Sequence, residues 1–210
     1  MEQEYEFTNS WFDGNKPVWS HILDQLKPNK VLEIGAFEGR STCFLIEHLG
    51  AERDLEIHTI DNWEGGIENK PGGSAEYVMT DVERRFFANT KIARDNSASE
   101  ISHFVHKGFS DTQLATLMSN NMCGYFDFIY VDGSHQAPDV LLDALLSFKL
   151  LRLGGVIAFD DYLWQEKLSY GVDPLRCPKI AIDSFTNIFS RKINILGAPL
   201  YQLYVEKLAD

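Results

Sequence analysis

The sequence predicts an α/β fold: a doubly wound, mostly parallel, seven-stranded sheet of the Rossmann-like type that ends in a C-terminal antiparallel hairpin. Three observations lead to this fold class. Short β-like runs alternate with helical runs along the chain, which is typical of a parallel sheet covered by helices on both faces. A glycine turn follows the first strand-like run. The last two strand-like runs flank the turn-forming residues Gly197 and Pro199.

In the first half of the chain, helices and strands alternate with clear boundaries. Pro17 suits the first turn of a helix, and Gly50 is expected to end the second helix. The predicted elements are helices at Val18–Leu26, Ser41–Leu49 and Glu76–Ala93, and strands at Lys30–Ile34, Leu55–Ile60 and His103–His106.

The second half continues the alternation and then closes with two strands. The amphipathic helix in this half is expected to be closed by Gly154 and Gly155. The predicted elements are helices at Asp111–Met118, Pro138–Leu151 and Ile180–Phe189, and strands at Phe126–Val131, Val156–Phe159, Lys192–Leu196 and Leu200–Val205.

The length and charge of the chain limit its organisation and its partners. A chain of 210 residues fits one domain, 1–210, which opens with a helical segment at 1–29. Its formal net charge of −12 repels phosphate backbones, so we expect no nucleic-acid partner. The most apolar region, 141–159, contains Asp143, Lys149 and Arg152 and is too polar to span a membrane, so no membrane association is expected.

The cysteines and the first residues bear on the compartment. Cys43, Cys123 and Cys177 are widely spaced and form no C-x-x-C pair, so neither a disulfide framework nor a zinc knuckle is expected. The opening Met-Glu-Gln-Glu-Tyr-Glu lacks the basic start and apolar stretch of a signal peptide. We therefore expect a cytoplasmic protein.

A long loop follows the second predicted strand. Asn62–Ser74 contains four glycines and one proline, a composition that favours neither helix nor strand. Because loops of this length in compact domains are usually functional or disordered, we treat 62–75 as a candidate lid loop.

The glycine turn after the first strand indicates a ligand site. Its pattern is Glu33-x-Gly35-x-x-x-Gly39, in which Gly35 lets the chain reverse and lets a ligand approach the backbone. Glu33 stands where a dinucleotide-binding turn has its first glycine, and a carboxylate there favours a cationic or ammonium-bearing ligand over phosphate. The alternative is that Gly35 and Gly39 only form a tight turn.

A second carboxylate ends the second strand. Asp61 is placed to accept hydrogen bonds from both hydroxyls of a ribose, although it could instead cap the following segment. The glycine turn and Asp61 fall at the expected places in a strand, turn, helix, strand unit. Together they favour a nucleoside site.

Three acids follow two further strands. Asp132 ends one strand, and Asp160 and Asp161 end the next. Neighbouring parallel strands finish at the same edge of a sheet, where three carboxylates repel one another unless a cation or protons compensate. Oxygen ligands of this kind suit Mg²⁺, or else Mn²⁺ or Ca²⁺. The alternatives are that Asp132 only begins a turn, that the acid pair starts a solvated loop, and that the nearby His135 is structural.

Three stretches together resemble a known family. They are Glu-Ile-Gly-Ala-Phe-Glu-Gly-Arg-Ser, Phe-Asp-Phe-Ile-Tyr-Val-Asp-Gly-Ser-His and Gly-Gly-Val-Ile-Ala-Phe-Asp-Asp-Tyr-Leu-Trp. They resemble class I S-adenosylmethionine-dependent methyltransferases, and within that class the metal-dependent O-methyltransferases of the catechol and caffeoyl-CoA type and of antibiotic sugars. The likeness covers about Val31 to Trp164.

The resemblance implies roles for individual residues. It places a divalent metal on Asp132, Asp160 and Asp161, where the plant enzymes usually have Asn at the last position. His135 stands where catechol-type enzymes carry a catalytic Lys, and an imidazole can still serve as the base because its pKa lies near working pH. The implied cofactor-binding residues are Glu33, Gly35, Gly39, Ser41, Asp61, Trp63, Gly108, Ser110 and Asp132. Trp63 could equally be a packing anchor.

The implied function is methyl transfer from S-adenosylmethionine to a hydroxyl group of a small molecule, namely a sugar, a natural product or a phenolic. His135 and Asp132 are the expected catalytic residues, with Mg²⁺ or another divalent cation assisting. Replacement of the Lys by His135 favours the sugar or natural-product branch. The alternatives are a metal-independent methyltransferase and a non-catalytic adenosylmethionine-binding domain. The expected partner is the small-molecule acceptor, and homo-oligomer formation is left open.

Overall fold

The computed structural model describes residues 4–69, 76–166 and 168–210. Within them the chain forms six α-helices, three short 3-10 turns and one seven-stranded sheet. The helices are α1 (Lys16–Leu26), α2 (Arg40–Gly50), α3 (Met79–Asp95), α4 (Ser110–Ser119), α5 (Ala137–Leu150) and α6 (Lys179–Ile188). The strands are β1 (Lys30–Ile34), β2 (Leu55–Asp61), β3 (Ile101–Lys107), β4 (Phe126–Val131), β5 (Leu151–Phe159), β6 (Ile193–Ile195) and β7 (Leu203–Lys207).

The sheet has the strand order β3-β2-β1-β4-β5-β7-β6. Strands β1 to β5 pair in parallel, and β7 runs antiparallel to both β5 and β6. The predicted fold class is therefore confirmed. The hairpin is also present, with its second strand inserted beside β5 so that β6 lies at the edge.

Helices cover both faces of the sheet, and the side chains of β4 show how the two cores divide. Phe128 and Tyr130 belong to a core that includes residues of α1, α2 and α3. Ile129 and Val131 belong to a second core, with residues of α4, α5 and α6. Because alternate strand residues point to opposite faces, a strand buried on both faces is apolar at nearly every position. This explains the near-continuous apolar run of β4.

Gly154 and Gly155 do not close a helix, which corrects the sequence prediction. Helix α5 ends at Leu150 and β5 begins at the next residue, so both glycines lie inside the strand. The register between β4 and β5 shifts here, between Phe126 and Phe128. A Cβ on Gly155 would lie 2.9 Å from the carbonyl oxygen of Asp127, so this irregular strand passes too close to its neighbour for a larger residue.

Other corrections concern boundaries. Gly50 is the last residue of α2, α3 begins three residues later than expected, β3 is longer at both ends, and β7 is shifted towards the C-terminus. The helical segment 1–29 contains a 3-10 turn, Trp11–Asn15, before α1. In the loop 62–75, residues 62–69 include the short turn Ile67–Asn69, and 70–75 lie outside the described residues. No helix in the described ranges is long and apolar enough to cross a membrane.

Candidate functional site

A cavity of about 1230 Å³ opens at the carboxyl edge of the parallel strands. Its walls come from the segments that follow β1 to β5, from the 3-10 turn before α1 and from the residues around the start of β7. The adjacent strands β1 and β4 lead into helices on opposite faces of the sheet. This is the switch point at which doubly wound sheets bind their ligands.

Gly35 begins the turn after β1 and lies against the end of β4. Its φ angle is +83°, and a Cβ built on it would lie 2.1 Å from the carbonyl oxygen of Asp132. A side chain here would clash with the backbone as well as strain its own. Gly35 also lines the cavity, so the glycine that permits the close strand contact leaves the ligand space open.

Asp61 holds the glycine turn in place. Its Oδ2 accepts hydrogen bonds from the backbone N–H groups of Ala36 at 2.8 Å and Phe37 at 3.0 Å, and its Oδ1 accepts one from Trp63 at 2.7 Å. Burial raises the pKa of Asp61, and these backbone bonds oppose the rise. Asp61 also lines the cavity, where a ligand hydroxyl can reach its carboxylate. Asp61 thus also caps the segment that follows it.

Glu33 does not line the cavity, contrary to the expectation of a direct ligand contact. Its side chain is fully buried, and its two oxygens accept hydrogen bonds from the hydroxyls of Ser41 and Thr42, both at 2.5 Å. Burial raises its pKa to about 7, which the hydroxyl groups oppose. Glu33 therefore ties the first turn of α2 to β1 and positions the glycine turn from behind.

Gly39 and Trp63 also lie outside the cavity lining. Gly39 precedes α2 with a φ angle of +80°, and a Cβ built on it would lie 3.0 Å from the ring of Phe86. Trp63 is 4% exposed, donates from Nε1 to the carbonyl oxygen of Phe37 at 3.0 Å and packs on Phe86. Trp63 therefore packs within the protein, which was the alternative to stacking on the adenosine. The other predicted cofactor residues all line the cavity: Gly35, Ser41, Asp61, Gly108, Ser110 and Asp132.

The ends of β4 and β5 bring a polar cluster into the cavity. Asp132, His135 and Asp161 each offer one ligand atom, and these atoms lie within 4.8 Å of one another. The Nε2 of His135 is 2.8 Å from Oδ2 of Asp161, whose Oδ1 accepts a hydrogen bond from Tyr201 at 2.9 Å. The ring of His135 also packs against Trp164, with 4.1 Å between ring centroids and 31° between the ring planes.

Asp160 is held differently from the other two acids. The hydroxyl of Tyr130 lies within hydrogen-bonding distance of both Asp160 and Asp132, 2.9 Å from Oδ2 of Asp132, and its single proton can be donated to only one of them at a time. The Oδ1 of Asp160 accepts from the backbone of Asp161 at 2.8 Å. Among the described residues, Asp132, Asp161 and His135 are the group whose donor atoms lie close enough together to hold a metal ion. The predicted metal ligands were Asp132, Asp160 and Asp161, so this group contains His135 where Asp160 was expected.

The cluster carries more negative charge than its surroundings neutralise. Burial raises the pKa of Asp132 well above its usual range, and repulsion by Asp160 and Asp161 adds to the rise. Burial and Asp161 raise the pKa of Asp160 to about 6. A cation or a bound proton relieves such repulsion. Two carboxylates and an imidazole fit a divalent cation, with Mn²⁺ or another transition metal suited to the nitrogen ligand and Mg²⁺ to the oxygens.

One wall of the cavity was missed by the sequence analysis. It is built from the N-terminal turn and from the start of β7, and it includes Trp11, Phe12, Tyr201, Gln202 and Tyr204. The Oε1 of Gln202 accepts a hydrogen bond from Nε1 of Trp19 at 2.8 Å. These residues form no local motif, and Tyr201, Gln202 and Tyr204 reach the cavity because β7 pairs with β5. Tyr130 could have been found, because it lies two residues before Asp132 and hence on the same face of the strand.

Comparisons with known proteins show the family of the chain. A family model described as "Methyltransferase domain" matches residues 32–162. A Dictyostelium discoideum protein named "Probable caffeoyl-CoA O-methyltransferase 3" is 43% identical over 155 residues, which cover 72% of this chain and 51% of that protein. The "Caffeoyl-CoA O-methyltransferase" of Populus kitakamiensis is 28% identical over 181 residues, covering 84% of this chain and 67% of that protein. The chain thus spans about half the length of the first relative.

Solved structures share the fold. An O-methyltransferase from Bacillus cereus, solved with S-adenosylhomocysteine, aligns with a TM-score of 0.63 at 17% identity, over 98% of this chain and 84% of that one. The Streptomyces achromogenes O-methyltransferase of tomaymycin synthesis, solved with S-adenosylmethionine, gives 0.63 at 17% identity, over 94% and 80%. The family model spans well over half of the chain, from β1 to the end of β5, and the chain belongs to the methyltransferase domain family.

Proposed function

We propose that this protein transfers a methyl group from S-adenosylmethionine to a hydroxyl group of a small molecule, assisted by a divalent cation and by His135. One observation carries the proposal: the glycine turn with Asp61 and the polar cluster of Asp132, His135 and Asp161 line the same cavity. A site for one drug-sized ligand typically measures about 300–1,000 Å³. The 1230 Å³ here leaves room for a nucleoside and an acceptor together.

The names of the relatives support the same activity. Two curated relatives are named as caffeoyl-CoA O-methyltransferases, and two solved structures of the same fold hold the methyl donor or its demethylated product. The aromatic wall of Trp11, Tyr201 and Trp164 suits an acceptor that carries rings. We accordingly propose a sugar, a natural product or a phenolic as the acceptor.

In this reaction S-adenosylmethionine supplies an electrophilic methyl group, and the acceptor hydroxyl must lose its proton. His135 is positioned for that proton because Asp161, 2.8 Å from its Nε2, orients the ring and stabilises its charged form. A divalent cation held by Asp132 and Asp161, with the His135 ring left uncoordinated so that it can take the proton, would lower the pKa of the hydroxyl and fix its approach. A cavity that holds the donor and the acceptor in line reduces the entropy cost of bringing the two reactants together.

The loop after β2 is proposed as a lid. Gly65, Gly66, Ile67 and Asn69 line the cavity, and they belong to the predicted lid 62–75. Closure of such a loop would exclude water from the methyl donor. We also propose a reducing, cytoplasmic setting, in keeping with the buried free thiols of Cys43 and Cys177.

A second candidate is a metal-independent methyltransferase. The contact between His135 and Asp161 favours it, because a His–carboxylate pair can act as a base without a cation. A third candidate, a non-catalytic adenosylmethionine-binding domain, predicts binding without turnover.

The test begins with calorimetry of the purified protein with S-adenosylhomocysteine, with and without Mg²⁺ or Mn²⁺. Transfer of labelled methyl groups to a panel of sugar and phenolic hydroxyls follows. We expect binding, turnover that falls after chelation, and a rate lowered about 10²–10⁴-fold in His135→Ala. The control is His21→Ala, since His21 lies on α1 away from the cavity. Turnover that survives exhaustive chelation would select the metal-independent candidate, and no binding at millimolar ligand would refute all three.

A further inference from the structure

Asn89 is a buried amide that the proposed reaction does not use. It lies within α3, and its side chain is fully buried. Asn is a poor residue for the interior of a helix, because its amide competes with the backbone for hydrogen bonds. Since buried polar groups are nearly always hydrogen-bonded, an Asn at this position requires partners outside the helix.

The partners of Asn89 come from two segments that are distant from α3 in the chain. Its Oδ1 accepts a hydrogen bond from the backbone N–H of Glu6 at 2.8 Å, and its Nδ2 donates to the carbonyl oxygen of the same residue at 3.1 Å. Nδ2 also donates to the carbonyl oxygen of Glu38 at 2.9 Å. The amide has two N–H donors, so both are used. Asn89 thus joins α3, the N-terminal residues and the glycine turn after β1.

Glu38 makes a second connection to the same N-terminal residues. Its two side-chain oxygens accept hydrogen bonds from the backbone N–H and from the hydroxyl of Thr8, both at 2.7 Å. Glu38 is only 2% exposed, and Arg85 of α3 donates to its carboxylate at 3.0 Å, which pairs the buried charge. Hydrogen bonds to an ionised acceptor are about twice as strong as neutral ones. Residues 6–8 are therefore held by two buried side chains.

Residues 9–11, which follow directly, belong to the cavity wall. Asn9 and Trp11 line the cavity, and the next residue, Phe12, is buried in the core that β1 shares with α1 and α2. The wall segment 9–11 is thus fixed at both ends, by Phe12 on one side and by residues 6–8 on the other. The position of Trp11 depends on both attachments.

From these contacts we infer that Asn89 and Glu38 are positioning residues for acceptor binding, because they hold residues 6–8 and thereby fix Trp11 in the wall that receives the acceptor. The inference rests on the proposed function and adds two residues to its acceptor side. Asn89 lies outside the cavity lining, so it acts on the acceptor only through the N-terminal residues. Loss of these contacts frees one end of the wall segment, and acceptor binding must then order that segment at an entropy cost.

The experiment breaks the contacts from each side in turn. Thr8→Pro removes the N–H and the hydroxyl that Glu38 binds and leaves the residues of α3 and of the glycine turn unchanged, whereas Asn89→Leu removes the amide. Steady-state kinetics with caffeic acid as the acceptor, at saturating S-adenosylmethionine, measures KM and kcat. We expect both variants to raise the KM for caffeic acid about three- to tenfold, the scale of one aromatic contact. The kcat should stay within about twofold of wild type, since an acceptor that is bound meets the same reacting groups.

Two further measurements separate positioning from a general loss of stability. In the Trp11→Ala background, Thr8→Pro should raise the KM no further, because the side chain that it positions is already absent. Hydrogen exchange of the backbone amides at residues 9–11 should become at least about tenfold faster in Thr8→Pro, while exchange in the strands of the sheet stays unchanged.

Thr90→Val is the matched control. Thr90 is the next residue of α3, is 1% exposed and donates within the helix, to the carbonyl oxygen of Phe86 at 2.8 Å, so its KM and exchange rates should equal those of the wild type. A wild-type KM in Thr8→Pro would overturn the inference, and this variant decides alone if Asn89→Leu does not fold. If the wild type does not methylate caffeic acid, unchanged exchange at residues 9–11 in Thr8→Pro would overturn it instead. Failure of the wild type to bind S-adenosylhomocysteine would refute the proposed function, whatever the variants show.

Discussion

The imidazole Nε2 of His135 lies 2.8 Å from the carboxylate Oδ2 of Asp161, although 26 positions separate the two residues in the chain. Asp161 adopts a φ angle of +53°, a left-handed conformation that Asp tolerates better than most residues. Strain of this kind costs about 1–3 kcal/mol and is concentrated at functional sites. The backbone of Asp161 is thus held in a conformation that directs its carboxylate to His135 and Tyr201.

Replacing Asp161 should therefore impair turnover more than donor binding. For Asp161→Asn we expect methyl transfer to fall at least about 10²-fold, because the imidazole loses the charge that orients it, with the affinity for S-adenosylhomocysteine little changed. Steady-state kinetics and calorimetry measure the two effects. Asp24→Asn is a matched control, since Asp24 forms a similar 2.9 Å contact with His48 away from the cavity. A wild-type rate in Asp161→Asn would exclude the pair from catalysis.

The glycine turn provides a prediction about stability. Gly35→Ala places a methyl group 2.1 Å from a backbone oxygen at a positive φ angle. We expect a loss of about 3 kcal/mol or more in the free energy of unfolding, and loss of donor binding, because the turn must move away from Asp132. Denaturant unfolding measures the change. Gly197→Ala, with nothing within 4 Å of its built Cβ, should remain within about 0.5 kcal/mol of wild type. Equal stability of the two variants would contradict this account of Gly35.

Glu33 should make stability depend on pH. Its pKa rises from 4.5 to about 7 on folding, so between these values the folded state keeps a proton that the unfolded state loses. The stability contributed by this group is therefore complete below about pH 4.5 and declines as the pH rises towards 7, by up to about 3 kcal/mol.

In Glu33→Gln this part of the pH dependence should disappear. The free energy of unfolding of the variant, relative to wild type, should increase between pH 5 and pH 8. Chemical denaturation at several pH values measures it. Glu52 is an exposed acid in the turn after α2. For Glu52→Gln, the difference from wild type in the free energy of unfolding should not change with pH. A flat difference in Glu33→Gln as well would show that Glu33 ionises normally.

The aromatic wall allows a test of acceptor binding. Trp11 is 59% exposed, lines the cavity and lies 5.3 Å from the ring of Phe37. We expect Trp11→Ala to raise the KM for the acceptor several-fold, roughly the effect of losing one aromatic contact of about 0.5–1.5 kcal/mol. The affinity for S-adenosylhomocysteine should stay unchanged. Ile188→Ala, at an exposed position outside the cavity, serves as the control. A larger change in the affinity for S-adenosylhomocysteine than in the KM for the acceptor would show that Trp11 contacts the donor and contradict this prediction.

Much of the site could be predicted because its parts are local. Gly35, Asp61 and Asp132 each end a strand, and in a parallel sheet the strand ends meet at one edge whatever the remaining packing. Glu33 was predicted to contact the ligand because its carboxylate can be read from the sequence, whereas its burial cannot. Its hydroxyl partners Ser41 and Thr42 lie on α2, and only the packing of that helix against β1 brings them to it.

By itself, the sequence determined the alternation of strands and helices, the glycine turn and the acids at the strand ends, since each depends on periodicity or on backbone sterics within a few residues. The tertiary structure decided which side chains face the cavity. It buried Glu33 and Trp63, brought His135 to Asp161 and placed β7 beside β5. These outcomes depend on contacts between segments distant in the chain, and such contacts follow from how helices and strands pack together.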